Sequence, residues 1–297
     1  MGRSEDRAGD PFSGTSAWGA YRPAGRGALW LGVARAFPGG WPWSRLALLA
    51  RRAARRHLAG PVDTLLWGHR LRLFPDRSIS EARILFLPRS WDRTERRRIA
   101  KWVRPGFTFV DVGANVGAYS FWILSLIDGS GRVVTVEPNP DLARQLRYNV
   151  RINRAHDRMR VVEAAVGAAR GHGALSVETR NSGEGRLVYT GQASGRAAGR
   201  AAPPAIPVRV VTLADIVEDT GLGRIDCLKV DVEGHEADVL QPFLGSAPRT
   251  LWPRHLVVEL KRGPLDGRRS AELQEWLTER GYRLELRTGL NGIFRLA

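Results

Sequence analysis

The chain contains one cysteine, Cys227, so an internal disulfide and a cysteine-cluster metal site are both excluded. Lysine is nearly as scarce. Of 46 basic residues only Lys101, Lys229 and Lys261 are lysines, and arginine supplies the rest. These arginines run along all 297 residues. The net charge of +16 therefore reads as a coding bias that puts guanidinium groups on solvated faces, and nucleic acid is not the expected partner. Long apolar runs are missing too. Ala28 to Ala50, the most apolar early stretch, is broken by Arg35, Pro38, Pro42 and Arg45, whereas a membrane span needs about 18 apolar residues with few charges. Met1 to Asp10 mixes charges of both signs, unlike a secretory leader, and a cytoplasmic location is expected. What is present is an ordinary globular mix, 43% hydrophobic and 26% charged, able to bury a sizeable core.

Residues 1–43 are rich in Gly, Pro, Ser and Arg without a sustained period, and read as a disordered or loosely docked arm. Residues 44–107 read as an extension of helices and strands. In it, Leu46, Leu49, Ala50, Ala53 and Ala54 follow helical spacing from Ser44, a candidate N-cap, to His57. This arginine-rich helix is expected to lie across the main domain, with a membrane-surface or partner contact as the alternative. Thr64 to Phe74 alternates like a hairpin, and Thr94 to Val103 reads as a helix.

From residue 108 to 297 the pattern is regular. Apolar strands at Thr108–Val112, Val133–Glu137, Arg160–Ala164, Val208–Thr212, Ile225–Asp231 and Leu256–Leu260 alternate with helical segments. This predicts an α/β fold: a Rossmann-like, mostly parallel sheet with helices on both faces, closed by a C-terminal antiparallel hairpin at Tyr282–Leu286 and Gly292–Leu296. Residues 168–207 break the rhythm and read as a strand pair followed by a mobile loop over Ser194–Pro204.

The strongest local signal is Asp111-Val-Gly113-Ala-Asn115-Val-Gly117, an acid at a strand end followed by a glycine turn into a helix. Glycine would let a ligand approach the backbone, and the helix N-terminus would offer unpaired N–H groups. An acid ahead of the turn suits a ligand carrying an amino group beside a carboxylate, such as the amino-acid end of S-adenosylmethionine, better than a pyrophosphate. Glu137, at the next strand tip, can accept both hydroxyls of a ribose. Ala164, at the third tip, leaves room for a base. Asp231 and Glu233 reach the carboxyl edge of a buried strand, where open α/β sheets bind ligands. His235 and Glu236 follow them into a helix, with Glu236 read as a cap and Cys227 as inert packing.

These motifs, with Glu137-Pro138 and Lys229-Val-Asp231-Val-Glu233-Gly-His235-Glu236 in this order and spacing, resemble the FkbM-family methyltransferases. The resemblance implies the seven-stranded class I methyltransferase fold and S-adenosylmethionine as cofactor. It implies that Asp111, Gly113, Asn115, Gly117 and Glu137 hold that cofactor, with Asp231 and Glu233 beside the methyl group. It further implies O-methylation of a hydroxyl on a sugar or natural-product small molecule. In that chemistry an alcohol needs a base near the methyl, and Asp231, His235 and Glu233 are the catalytic candidates. No metal is assigned, although a divalent ion on Asp231, Glu233 and Glu259 stays open. The alternatives are an RNA methyltransferase, or a non-catalytic protein retaining the cofactor fold.

Overall fold

Short apolar runs bounded by glycine and proline become the buried strands of this protein, and amphipathic stretches between them become its helices. The computed structural model describes residues 10–12, 16–36, 43–58, 60–177, 185–189, 205–261, 263 and 266–297. The loop expected over Ser194–Pro204 lies outside these residues, as does much of the expected arm. No helix among the described residues is long and apolar enough to cross a membrane. The chain divides into two compact units, Met1–Trp91 with Arg144–Arg154, and Asp92–Ala143 with Ala155–Ala297.

The first unit holds α1 (Gly25–Ala36), α2 (Trp43–His57), β1 (Val62–Leu66), β2 (His69–Leu73) and α3 (Ile79–Phe86). Helix α1 falls where the sequence shows no sustained period. Its buried stripe is Gly27, Leu31 and Ala34, two of them small, while Leu29 is exposed, so the faces do not contrast. A methyl added at Gly27 would come within 2.9 Å of Leu58, so the glycine permits close packing there. Ser44 is not an N-cap, because α2 already begins at Trp43. Strands β1 and β2 form a hairpin over Trp67-Gly68, both with positive φ, as a two-residue type I′ turn requires. Across it the fully buried Arg72 and Asp63 pair, at 2.7 Å and 2.9 Å. Asp63 also accepts from the backbone N–H groups of Gly19 and Tyr21, while Arg72 donates to Ala17 O and lies over the rings of Tyr21 and Tyr148.

The second unit carries a seven-stranded sheet. Its strands are β3 (Thr108–Val112), β4 (Arg132–Val136), β5 (Met159–Val162), β10 (Cys227–Val230), β11 (His255–Glu259), β12 (Tyr282–Arg287) and β13 (Asn291–Leu296), in the order β12-β13-β11-β10-β3-β4-β5. All pairs are parallel except β11–β13 and β12–β13, so the expected C-terminal hairpin closes the sheet. The helices of this α/β alternation include α4 (Arg93–Ala100), α5 (Ala118–Leu124), α6 (Pro140–Ile152), α7 (Leu213–Thr220), α8 (Glu236–Ser246) and α9 (Asp266–Glu279). Every residue of β3 and β10 is buried, which is why both are mostly apolar, with Asp111 and Lys229 as the buried charged exceptions. Strand order reverses between them, and in open α/β sheets that switch point is where ligands bind. A second sheet of four strands, β6 (Ala165–Val166), β7 (Gly171–Val177), β8 (Gly185–Tyr189) and β9 (Ala205–Val211), includes the expected strand pair. Strand β9 belongs to this small sheet, because it pairs with β7 and β6.

Candidate active site

Register places Lys229, Asp111 and Thr135 side by side across β10, β3 and β4. Asp111 is fully buried. Its Oδ2 accepts from Ser120 Oγ at 2.6 Å, and that hydroxyl accepts in turn from Thr135 Oγ1 at 2.9 Å. Its Oδ1 is buried without a hydrogen-bond donor among the described residues, and Lys229 Nζ stands 4.0 Å away. Burial raises the Asp111 pKa, against the pull of Lys229 and Ser120. A buried acceptor with one oxygen unmet fits an incoming ammonium donor.

The glycine turn differs from expectation in its reason. Gly113 has φ +76°, and a Cβ on it would lie 1.8 Å from the backbone oxygen of Asp231. Glycine is needed there because the first turn crosses the end of β10. Along the turn itself the N–H groups are bonded within the chain. Gly113 N and Ala114 N both donate to Val136 O, Asn115 N to Glu137 Oε2, Val116 N to Asn115 Oδ1, and Gly117 N to Ala114 O. The chain folds onto the tip of β4 and uses its own donors. Asn115, at φ +54°, and Gly117, at φ +76°, hold this shape, with Gly117 as N-cap of α5.

Glu137 ties the turn to the second strand tip. One carboxylate oxygen accepts from Asn115 N at 2.7 Å and the other from Asn139 N at 2.9 Å. Each oxygen keeps a lone pair for a further donor. Burial pushes Glu137 up to about 7, against these two N–H groups. Ala164 is a core residue, two positions beyond the end of β5.

Asp231 follows β10, and its Oδ2 accepts from Lys229 Nζ at 2.8 Å. Burial lowers the Lys229 pKa, but Asp231 and Asp111 outweigh it and the ammonium is held above its ordinary value. Glu233 sits at φ +56°, a strained backbone for a side chain, and pairs with Lys261. His235 is the N-cap of α8 without a capping bond; its Nδ1 lies 2.8 Å from Asp238 Oδ2. Glu236 accepts from the N–H groups of Val232 and Gly234, so it shapes this turn as expected. Cys227 is free and wholly buried, and burial pushes its thiol pKa up.

Glu259 ends β11, buried, with Lys261 Nζ 3.4 Å from it. Burial, reinforced by Asp231 and Glu233, pushes Glu259 up to about 8. Carboxylate oxygens of Asp231, Glu233 and Glu259 lie within 4.8 Å of one another. They could gather round a divalent ion, and Lys229 and Lys261 already put two ammonium groups against these three carboxyl groups. Sequence reasoning missed both lysines. Their rarity was the signal: two of the three lysines in an arginine-rich chain stand at this sheet edge. Tyr119 was missed as well; its hydroxyl donates to Asp92 at 3.0 Å, and its ring lies 5.3 Å from Lys229 Nζ.

Acids thus stand at successive strand tips around the switch point of a mostly parallel, Rossmann-like sheet. Residues 111–284, more than half of the chain, match the family described as the Methyltransferase FkbM domain, and the chain belongs to that family. No curated protein matches the chain. Similar solved structures include a methyltransferase from Geobacter sulfurreducens, 17% identical over 69% of this chain and 77% of that one, with a TM-score of 0.40. An O-methyltransferase from Bacillus cereus in complex with SAH is 12% identical over 69% and 79%, with a TM-score of 0.41. Aeropyrum pernix fibrillarin bound to S-adenosyl-L-methionine is 14% identical over 64% and 66%, with a TM-score of 0.38.

Proposed function

We propose that this chain is an O-methyltransferase that methylates a hydroxyl of a sugar or natural-product small molecule. The observation that carries the reading is the unmet oxygen of buried Asp111 at the carboxyl edge, in register with Lys229 on the neighbouring strand and adjacent to the Glu137 turn. Asp111 would receive the amino group of the cofactor, Glu137 its ribose hydroxyls, and Ala164 would border the base. Gly113, Asn115 and Gly117 would serve by shaping the turn, since their N–H groups are internally bonded. S-adenosylmethionine supplies an electrophilic methyl carbon when bound, and the chain's own residues align the acceptor and take its proton.

Lys229 fixes one oxygen of Asp231, which leaves the other for the acceptor hydroxyl. Asp231 is therefore the first choice for the group that orients or deprotonates the acceptor. His235 is the second, because Asp238 Oδ2 lies 2.8 Å from its Nδ1 and orients the ring beside Asp231 and Glu233 in the chain. Glu233, held by Lys261, would position the acceptor.

The test is transfer of labelled methyl from S-adenosylmethionine into a panel of hydroxylated acceptors, alongside S-adenosylhomocysteine calorimetry. Product labelled on oxygen, with calorimetric binding lost in Asp111→Asn, supports the reading. Binding without transfer to any hydroxyl acceptor, or label found in RNA instead, overturns it. Asp231→Asn should lose at least 100-fold in turnover if it is the base, as general bases contribute about 10²–10⁴-fold. Full turnover in that variant with loss in His235→Asn reassigns the role.

A further inference from the structure

Charge is not evenly spread once the acids are placed. Residues 11–62 contain eight arginines and no aspartate or glutamate, so half of the net charge of +16 arises there. This stretch contains the helices α1 and α2, neither of which holds an acidic residue. The buried residues of α2 are Ala50 and Ala54, with Leu58 buried just after its end. Its outward face presents Arg52, Arg55 and Arg56, all exposed, and none is in an ion pair among the described residues. Leu49 lies one turn from Arg52 and two from Arg56, and it is 58% exposed. On α1, Leu29 is 62% exposed. Burial, and then the like charges of Arg55 and Arg83, pull the Arg51 pKa below its ordinary value, a sign that cations crowd here without a carboxylate to relieve them. Asp63, the next acid in the chain, is already consumed by Arg72.

The geometry points to a peripheral docking face on α1 and α2 for an anionic lipid surface, with guanidinium groups on headgroup phosphates and Leu49 and Leu29 in the interface. Exposed leucines among arginines are what an interfacial helix needs, since long basic side chains reach the headgroups while apolar ones enter the acyl boundary. A nucleic-acid face would be expected to add aromatic platforms or amide side chains for bases. From Leu49 to Arg56 the helix offers only leucine, alanine and arginine.

The experiment is co-sedimentation of the full chain with phosphatidylcholine vesicles, with and without phosphatidylglycerol, at low and high salt. Binding should require the anionic lipid and weaken with salt. Each basic residue near such a surface contributes roughly fivefold, so Arg52→Gln/Arg55→Gln/Arg56→Gln should bind about 100-fold more weakly. Leu49→Ala, at unchanged charge, should lose a few-fold more. All four side chains are exposed, and an unchanged melting curve verifies that the variants fold. No sedimentation with anionic vesicles, equal binding to neutral ones, or an unaffected triple variant overturns the proposal. So does retention on RNA that needs the same arginines while Leu49→Ala binds vesicles like the parent. Because S-adenosylhomocysteine affinity is measured separately, failure here leaves the methyltransferase reading standing.

Discussion

Replacing Gly113 by alanine is the sharpest perturbation the site offers. The new methyl would sit 1.8 Å from the Asp231 backbone oxygen and 2.8 Å from its carbonyl carbon, both far inside contact distance. Neither neighbour is a flexible side-chain end, so the turn after β3 and the end of β10 must separate by about 1 Å or more. The position also has φ +76°, which costs a side chain about 1–3 kcal/mol. Overpacking a tight site adds about 1–3 kcal/mol. Together these give a loss of roughly 2–6 kcal/mol, a fall in Tm of about 4–24 °C for a unit of this size. Gly234→Ala separates the two contributions. It too has a positive φ, +102°, but nothing lies within 4 Å of its Cβ, so only the backbone cost applies. Calorimetric melting and S-adenosylhomocysteine titration of both variants make the assay. Gly113→Ala should lose cofactor affinity along with stability, because the displaced turn carries Asn115 away from Glu137. If Gly113→Ala melts within 2 °C of the parent and binds as tightly, about the precision implied by 0.5–1 kcal/mol, the crossing is not the reason for the glycine.

Glu137, raised to about 7 by burial, should make cofactor affinity pH-dependent, because only its charged form accepts both ribose hydroxyls. S-adenosylhomocysteine affinity should rise about tenfold from pH 6 to 8 and become flat in Glu137→Gln. In the apo protein the sign is reversed. The native group keeps its proton up to about 7 while the unfolded one releases it near 4.5, so its contribution to stability falls across that interval and is constant above it. Lys229→Met should lower stability by about 1–3 kcal/mol, less than a fully buried pair because Asp231 is partly exposed, and denaturant titration measures it. In the first unit, Arg72→Met strands buried Asp63 and should cost about 3–5 kcal/mol, whereas replacing the pair together should recover most of that in a double-mutant cycle.

The parallel core was legible because β3 and β10 are buried on both faces, so their sequences are mostly apolar, with an acid at or next to the last strand residue. Asp111, Glu137 and Asp231 could be placed for the same reason: a strand of known direction fixes which end its terminal side chain reaches. Helix α1 was not legible, since Gly27 and Ala34 bury themselves without a hydrophobic signature. The small sheet was equally opaque, as β6 has two residues and pairing partners are not encoded in composition. The glycine turn shows a subtler limit. Its spacing marked a glycine turn at a strand tip, yet which donors along it stay unbonded depends on Val136 O and Glu137, distant in sequence from Gly113 but adjacent in space. Lys229 and Lys261 were counted as rare but given no role, because their closeness to Asp231, Glu233 and Glu259 is a matter of strand register and not of composition.

That scarcity of lysine has a practical outcome. Amine-directed acylating reagents find only three side-chain targets in the protein: exposed Lys101, half-buried Lys261 and buried Lys229. Peptide mapping of the acetylated protein then amounts to a footprint of the sheet edge, with Lys101 as an internal reference, and an acceptor library can be screened by the shielding of Lys261 before any turnover is detected.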